Sequence, residues 1–562
     1  MRRIAIVLAA SLASACWLAS CGGGGGSGMS DTTPSGSNGP AAATLSASSG
    51  EITAFGSVFV NGREFRTDGA QIIDNDTGDV VTDASTLEVG MSVDVKPMSA
   101  TALDSASPQA AEIRLHPLAR GYVDATDTAA STLTVMGQAV QLTSATNFSD
   151  RRACVAASSC TAVAGLSDLT TTTGAASPGS YVTVHGFLFS SAGGAANIVA
   201  TLVSVGDLPA NSSFPAAFKA EGSVVSATAN SITIGGLAVD LSHATCWGTD
   251  GKTSCASAYS AGQVVSVFSA TAPALPATSF TAGTAALRSR LPVQTVGATV
   301  ELQGRVSSAS GTGFVLRGIA IDGAALAAGS LPVAGDDVRV TGTVAANGTG
   351  VTASAIKLLH AAVSRSLALE GDFTAVAAGS AANTWTVTVL GQSITVDAST
   401  RLADRSTWMA PRSGSNAFNV TTFQTVLNAS TSKHLVVNAA ADSAGQLTAV
   451  ALKIVPASSS ASVQGVVDAT PAPVNGSSAT SPSRFAIHGL TVSADPASFA
   501  NPRGWRLRGQ ATTVSAGDLV VAHGSWTNGQ IVVAVPSGAS GPTWSNYVVD
   551  LGAPRSGDFC DF

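Results

Sequence analysis

The chain has 562 residues, of which 45% are hydrophobic and only 11% are charged, with a formal net charge of −7. This length is more than one hydrophobic core can organise, and the apolar content excludes wholesale disorder. The weak acidity supplies no basic surface for a phosphate backbone, so we expect no nucleic-acid partner. Thr, Ser, Val, Ala and Gly are abundant, which favours short strands over long helices.

The first twenty residues have the pattern of a secretory signal, with two arginines, an apolar run from Ile4 to Leu12 and small residues before Cys21. Leu18-Ala19-Ser20-Cys21 resembles the lipobox of bacterial lipoproteins, in which the cysteine becomes the lipidated first residue. The resemblance implies export by the Sec pathway and an outer-membrane position through lipid on Cys21, because Gly22 rather than Asp follows. A soluble secreted protein and an N-terminal membrane anchor are the alternatives, although the apolar run is short for a span.

Residues 21–48 are rich in Gly and Ser and contain no strand pattern. They predict a flexible tether with a reach of roughly 25–30 Å. Beyond the tether a hairpin pattern begins at Phe59-Val60-Asn61-Gly62-Arg63-Glu64-Phe65, in which Asn-Gly suits a type I′ turn. The pattern returns at five further glycine turns: Gly137, Gly236, Gly318, Gly391 and Gly489.

Each of these six segments also has a glycine upstream of the hairpin, and five have a third glycine before a later strand. The upstream glycines are Gly50, Gly121, Gly222, Gly304, Gly371 and Gly465. Aligned glycine signals that recur at intervals of roughly 70–100 residues predict tandem copies of one structural unit. Short strands with one polar face favour small closed barrels, which leave no free sheet edges.

The predicted fold is therefore all-β, with six tandem small antiparallel OB-like β-barrel modules; β-sandwich modules are the alternative. The expected segments are a signal peptide (1–20), the tether (21–48), module 1 (49–116), module 2 (117–208), module 3 (217–290), module 4 (299–360), module 5 (366–456), module 6 (461–536) and a C-terminal tail (537–562).

The stretch from Gly50 to Gly62, followed by Leu87 to Val93, resembles the bacterial family called domain of unknown function 5666. The resemblance is specific over residues 50–95, whereas later modules keep only the glycine and strand pattern. It implies an exported, often lipidated protein with tandem small β-barrel units. The family carries no established reaction, so the resemblance supports the fold and leaves the activity open.

Two local pairs of cysteines, Cys154 with Cys160 and Cys246 with Cys255, predict disulfides in an exported protein. The first bond would contribute roughly 2–2.5 kcal/mol on the chain-entropy model. Zinc is the alternative, but neither pair has Cys-x-x-Cys spacing or a partnering histidine. Both pairs follow the same strand of consecutive modules, so we expect them to close equivalent loops. Cys560 has no assigned partner.

Other candidate residues give weaker signals. Asp74, Asp76 and Asp79 predict a turn first and a calcium site second, because an EF-hand glycine would come one position later. Trp408, Trp505 and Trp526 are candidates for ligand stacking, whereas Trp385 alternates with valines and predicts a core position. The seven histidines have no metalloprotease or zinc-finger spacing, which favours structural roles.

No catalytic constellation emerges, so we expect no enzyme activity and no cofactor. The sequence favours an outer-membrane lipoprotein that serves as an envelope scaffold or ligand-binding protein, with the membrane and an envelope protein or glycan as partners. A carbohydrate-binding surface protein is the first alternative, and a cryptic hydrolase is the second.

Overall fold

The computed structural model describes residues 44–551, apart from 56, 82–85, 100, 104–106, 129, 144–145, 157, 175, 191–195, 210–216, 250, 327–330, 380–383, 398–399, 407–417, 443, 500–512, 537–542 and 544. Over this part the chain is almost entirely β, as the composition predicted. Among the described residues, no helix is long and apolar enough to cross a membrane.

The first three modules contain strands β1 to β21. Module 1 has β1 (Thr44–Phe55), β2 (Val58–Val60), β3 (Arg63–Phe65), β4 (Gln71–Asp74), β5 (Ser92–Pro97), β6 (Thr101–Ala102) and β7 (Ala110–Leu115). Module 2 has β8 (Pro117–Asp127), β9 (Thr132–Val135), β10 (Gln138–Gln141), β11 (Asn147–Asp150), helix α1 (Ala153–Ala156), β12 (Tyr181–Ser190) and β13 (Ala196–Gly206). Module 3 has β14 (Phe218–Ala227), β15 (Ser231–Ile234), β16 (Leu237–Asp240), β17 (Thr245–Gly248), β18 (Gly251–Thr253), β19 (Val264–Ser269), β20 (Ser279–Thr281) and β21 (Thr284–Arg288).

The remaining modules contain β22 to β38. Module 4 has β22 (Thr299–Ser310), β23 (Gly313–Leu316), β24 (Ile319–Asp322), β25 (Asp337–Val344) and β26 (Val351–His360). Module 5 has β27 (Ser366–Ala378), β28 (Trp385–Val389), β29 (Gln392–Val396), β30 (Arg401–Asp404), helix α2 (Phe423–Ala429), β31 (His434–Ala441) and β32 (Leu447–Ile454). The last part has β33 (Ala461–Val466), β34 (Ser483–Ile487), β35 (Leu490–Ala494), β36 (Leu519–Thr527), β37 (Gln530–Val533) and β38 (Tyr547–Asp550).

Module 2 is a closed five-stranded barrel. Strand β8 pairs with β9, β9 with β10, β10 in parallel with β13, β13 with β12, and β12 again with β8. The interior is filled mainly by aliphatic side chains with no exposed surface, among them Val123, Val135 and Val182. For module 2 this closure confirms the predicted small barrel and removes the β-sandwich alternative, because no free edge remains in the ring.

The same pairing order recurs along the chain, in β22–β23–β24–β26–β25–β22 and in β27–β28–β29–β32–β31–β27. In module 3 the closing strand is divided into β20 and β21. In modules 1 and 6 one contact of the ring is an isolated bridge, Arg66 with Gln109 and Val467 with Ile487. The count of six equivalent modules stays a prediction.

The hairpin glycines lie at matching bends. Gly62, Gly236 and Gly489 each lie in the turn between two short antiparallel strands. At five of the six hairpins a non-glycine residue with positive φ precedes a positive-φ glycine: Asn61, Met136, Arg317, Leu390 and His488. This is the type I′ geometry that the Asn-Gly signal predicted, because both central residues of that turn need positive φ.

Pairs of modules join through their first strands. Strand β1 pairs in parallel with β22, β8 antiparallel with β14, and β27 antiparallel with β33. Each first strand therefore has one face in its own barrel and another at a junction between modules. Module 1 pairs with module 4, although modules 2 and 3 lie between them in the sequence.

Two strands extend beyond the predicted module bounds. Residues 44–48 belong to β1 rather than to the tether, and Leu45 and Ala47 are buried. Strand β38 lies inside the predicted C-terminal tail, where Tyr547 is fully buried and pairs opposite His523 of β36. In both cases the strand is stabilised by a distant partner, so local composition carried no signal of it.

Gly342 is expected to tolerate no side chain. It lies at an irregularity of the β25–β26 pairing, and an added Cβ would stand 2.7 Å from Val351 Cγ1 and closer still to the Thr352 carbonyl oxygen. We expect Gly342→Ala to lower the free energy of unfolding by about 1–3 kcal/mol, measured by urea denaturation. Gly206→Ala is the matched control, since no atom lies within 4 Å of its added Cβ. Equal stability of the two variants would contradict the close approach.

Candidate functional site

A network of buried charged side chains lies where modules 1, 2 and 3 meet. The side chain of Asp76, in the turn after β4, has 0% exposed surface, and that of Lys219, at the start of β14, has 1%. Lys219 Nζ is 2.5 Å from Asp76 Oδ1 and 3.1 Å from Glu221 Oε2. Lys219 and Glu221 are neighbours on one face of β14 because alternate residues of a strand point the same way.

Two arginines and a serine complete this network. Arg120 Nη2 of β8 lies 3.6 Å from Asp76 Oδ2, and Arg288 Nη2 of β21 lies 3.8 Å from Asp76 Oδ1. The Ser266 hydroxyl donates to Glu221 and accepts a 2.8 Å hydrogen bond from Arg288 Nε. Burial raises the pKa of Glu221, but Lys219 and Arg288 more than offset this, and the pKa lies below its usual value. Glu221 is therefore held as a carboxylate.

An ion pair between His116 and Asp94 extends the network toward module 1. His116 Nε2 lies 2.9 Å from Asp94 Oδ2, and the two side chains are less than one third exposed. Burial opposes charge on both groups, but their mutual attraction wins: the pKa of His116 is raised and that of Asp94 is lowered. His185 of β12 lies close by, with Nδ1 3.5 Å from the Ser92 hydroxyl oxygen. Burial, reinforced by Arg120 and Lys219, lowers the pKa of His185 to about 3.

Arg317 joins module 4 to modules 1 and 2. Its Nη1 donates to the Ser49 hydroxyl at 2.8 Å, and its guanidinium carbon lies 3.8 Å from the centre of the Phe187 ring. Such stacking of a desolvated guanidinium on an aromatic face is favourable. Burial lowers the pKa of Arg317 to about 10. A further contact between modules 1 and 4 is the ion pair of Arg63 Nη2 with Glu301 Oε1 at 3.0 Å.

A second network of charged side chains, in which His434 is buried and Asp372 is largely exposed, lies between modules 5 and 6. His434 Nδ1 lies 2.9 Å from Asp372 Oδ1, and its Nε2 lies 3.3 Å from Glu370 Oε1. Ser460 and Ser462 each donate to Glu370 at 3.1 Å. Burial raises the pKa of Glu370, but the hydrogen bond from His434 and the other donors outweigh it and bring the value to about 2.

Within each network, the charged side chains pair with one another. Within the described ranges, no group of three or more His, Cys, Asp or Glu side chains is arranged to hold a metal ion. Two of the three calcium candidates serve the turn: Asp74 accepts from the Asp76 backbone N–H, and the Asp79 N–H donates to Thr77. The third, Asp76, has its carboxylate on Lys219. The structure thus places these residues in a turn whose centre pairs with cations.

The tryptophan candidates have different positions. Trp408 and Trp505 lie outside the described residues, as do Cys21 and Cys560. Trp526 of β36 is half-buried and packs against the core of modules 5 and 6, as does Trp385, whose Nε1 donates to the Val420 carbonyl at 2.7 Å. Trp247 of β17, which no sequence signal marked for ligand stacking, has 44% of its surface exposed.

Both predicted disulfides are present. Cys154 bonds to Cys160 with Cα atoms 5.4 Å apart, and Cys246 to Cys255 with Cα atoms 5.3 Å apart. The first bond follows β11 and the second begins within β17, and both strands pair in parallel with the last strand of their module. The two bonds therefore close equivalent loops of modules 2 and 3. The bond of Cys246 also lies next to Trp247 in strand β17.

The buried charges could have been found from a signal in the repeat. The residue before each upstream glycine is polar in all six modules: Ser49, Arg120, Glu221, Gln303, Glu370 and Gln464. These residues lie on the first strand of each module, where one face meets another module. Their side chains point away from the barrel interior, which explains why polar residues recur in a strand that is buried on both sides.

The fold and junctions define a class of all-β protein: small β-barrel units in tandem, joined by strand pairing and by buried charged groups. Residues 120–203, most of the closed barrel, match the family described as Domain of unknown function (DUF5666). The match is to the family that the sequence resemblance indicated, and it covers only residues 120–203 in module 2 rather than residues 50–95. No curated protein matches the chain.

Proposed function

We propose that this protein is a non-enzymatic scaffold of the bacterial cell envelope, held at the outer membrane by lipid on Cys21. The observation that supports this proposal best is the burial of charged side chains at a junction between modules. The chain is only 11% charged, yet Asp76, Lys219 and Glu221 are buried at one junction between modules. Charges with that cost of desolvation serve orientation between modules rather than chemistry at an open cleft.

Anchoring is tested with the full-length protein in cells. Palmitate labelling is expected for the wild type and is expected to be lost in Cys21→Ala, with the variant released from membranes into the soluble envelope fraction. Cys560→Ala is the matched control and should keep both the label and the membrane fraction. Labelling that survives Cys21→Ala would contradict the anchor.

The scaffold role is tested by crosslinking in intact cells, followed by identification of the adducts. We expect the same envelope protein or glycan in adducts from the wild type, and their loss when Cys21→Ala displaces the protein. A broad activity screen with purified protein completes the test. Turnover that one side-chain substitution abolishes would overturn the non-enzymatic role and favour a hydrolase.

Carbohydrate binding is the second candidate, because Trp247 is exposed on the β17–β18 hairpin, next to the disulfide between Cys246 and Cys255. A rigid, exposed aromatic ring can stack on a sugar ring at low entropic cost. Glycan-array binding by the full-length protein that is lost in Trp247→Ala and kept in Trp385→Phe would favour it. Binding unchanged in Trp247→Ala would remove Trp247 as the platform.

A further inference from the structure

We propose that Lys219 and Asp76 become joined by an amide bond between Lys219 Nζ and Asp76 Cγ. The product is an internal isopeptide cross-link from module 1 to module 3. This inference concerns the covalent state of the chain and does not depend on the proposed function.

The geometry brings the nucleophile onto the electrophile. Lys219 Nζ lies 2.5 Å from Asp76 Oδ1, the oxygen bonded to the carboxyl carbon that the amine would attack. The exposed fractions of the two side chains are 1% and 0%. Groups held in this way have effective concentrations on the order of 10⁵–10⁸ M, which is what an uncatalysed condensation lacks in solution.

Water is kept from the reacting atoms. Lys219 lies on a strand that is buried on both faces, and the Phe268 ring lies with its centre 5.5 Å from Nζ. The third short contact of Nζ is the backbone carbonyl oxygen of Pro117. A dry, preorganised site favours condensation over hydrolysis, because water is a product of the first and a reactant of the second.

Glu221 is placed to carry the proton. Its Oε2 lies 3.1 Å from Lys219 Nζ, and the Ser266 hydroxyl holds the same carboxylate in place. Glu221 takes one proton from the Lys219 ammonium, which leaves a neutral amine with a free electron pair. That pair attacks Cγ of Asp76 and forms the new C–N bond.

The rest of the step balances within the network. Negative charge that develops on the Asp76 oxygens is stabilised by Arg120 and Arg288, whose Nη2 atoms lie 3.6 Å and 3.8 Å from them. Glu221 returns its proton to the departing oxygen, which also takes the second proton that the nitrogen loses. One ammonium and one carboxylate thus become one amide and one water, with no oxidant or reductant.

The competing interpretation is a permanent ion pair. A buried ion pair is a weak source of stability, because desolvation of both charges offsets most of their attraction. The amide removes both charges and keeps the contact between the two modules. Mass spectrometry separates the two states.

The experiment uses the full-length protein, denatured and with both disulfides reduced. We expect a mass lower by one water molecule than that of Glu221→Gln after allowance for the substitution, so that any lipid on the chain cancels. A tryptic digest of the wild type should contain one branched peptide that joins the segments around Asp76 and Lys219. Trypsin should not cleave after Lys219, because an amide replaces its ammonium.

Substitutions at the electrophile identify the leaving group. Asp76→Asn should either lack the cross-link or form it with loss of ammonia instead of water, whereas Asp76→Ala should never form it. Asp79→Asn in the same turn is the matched control and should retain the branched peptide. A wild-type digest with unbranched peptides and cleavage after Lys219 overturns the proposal, and so does a water deficit that maps to one unbranched peptide. The wild-type digest decides the matter even where a variant does not fold.

Discussion

Replacing Asp336 with alanine is expected to lower the free energy of unfolding by about 3–5 kcal/mol, the cost of removing one partner from a buried ion pair. Asp336 has no exposed surface and lies at the turn before β25. Its carboxylate accepts from the Ala362 N–H at 2.8 Å and from Arg365 Nη2 at 2.5 Å. Arg365 in turn donates to the Ala441 carbonyl oxygen at 2.7 Å. The variant leaves a guanidinium without its carboxylate at the junction of modules 4 and 5.

The measurement is urea denaturation of the full-length protein. Asp322→Ala is the matched control, because Asp322 is exposed at the end of β24 and its side chain accepts a 3.0 Å hydrogen bond from the Ala324 N–H. We expect that control to cost about 1 kcal/mol or less. Arg365→Ala should lose nearly as much as Asp336→Ala, and the double variant should lose less than the sum. Asp336→Ala within about 1 kcal/mol of the wild type would show that this junction does not depend on the pair.

The barrel could be predicted from the sequence because its strongest signals are local. A type I′ turn depends on two adjacent residues, so Asn61-Gly62 marks a hairpin whatever the rest of the chain does. The upstream glycine is also a local requirement: a Cβ on Gly371 would stand 2.5 Å from Cδ2 of Leu390, the first turn residue of the hairpin that folds over it. The disulfides were equally accessible, since each joins cysteines fewer than ten residues apart.

The junctions could not be predicted, because they depend on which modules meet. Nothing near Thr44 indicates that β1 pairs with β22, some 250 residues away along the chain. Between β30 and β31, module 5 contains helix α2, which buries Phe423, Val426 and Leu427. The amphipathic pattern of this helix is too short to be distinguished from a loop in the sequence. Lys219 is unremarkable in sequence and Asp76 stood out only as a weak calcium candidate; the two become a site only when modules 1 and 3 come together.

His185 is expected to make the protein sensitive to mild acid. Its side chain is 3% exposed, and the pKa lies at about 3 against an ordinary 6.5. Between these values the unfolded chain binds a proton at this histidine and the folded chain does not, so stability rises with pH across that window. Acidification from pH 6.5 should therefore cost about 1.4 kcal/mol per pH unit from this group. Because the slope reaches its full value only below pH 6.5, the loss from pH 6.5 to pH 4.5 is about 2 kcal/mol.

The ion pair between His116 and Asp94 does not mask the acid sensitivity due to His185. The pKa of His116 is raised above 6.5, so its contribution is fully present below pH 6.5 and is lost only as pH rises through the folded-state pKa. Asp94, with a lowered pKa, keeps its contribution above its ordinary value of 3.8 and loses it at lower pH. Between pH 4.5 and pH 6.5, the charge change expected at this junction is therefore that of His185.

The test compares the urea midpoints of the wild type and His185→Gln from pH 4.5 to pH 7. Glutamine keeps a neutral polar group near Ser92 but binds no proton, so the variant should lose the slope that His185 contributes, whatever its stability at pH 7. His185→Leu should lose the same slope, which keeps the test open if glutamine packs poorly. His243, exposed in the turn after β16, gives the control His243→Gln, which should keep the wild-type slope. If His185→Gln retains the full pH dependence, the acid sensitivity lies elsewhere and the buried neutral state of His185 is disproved.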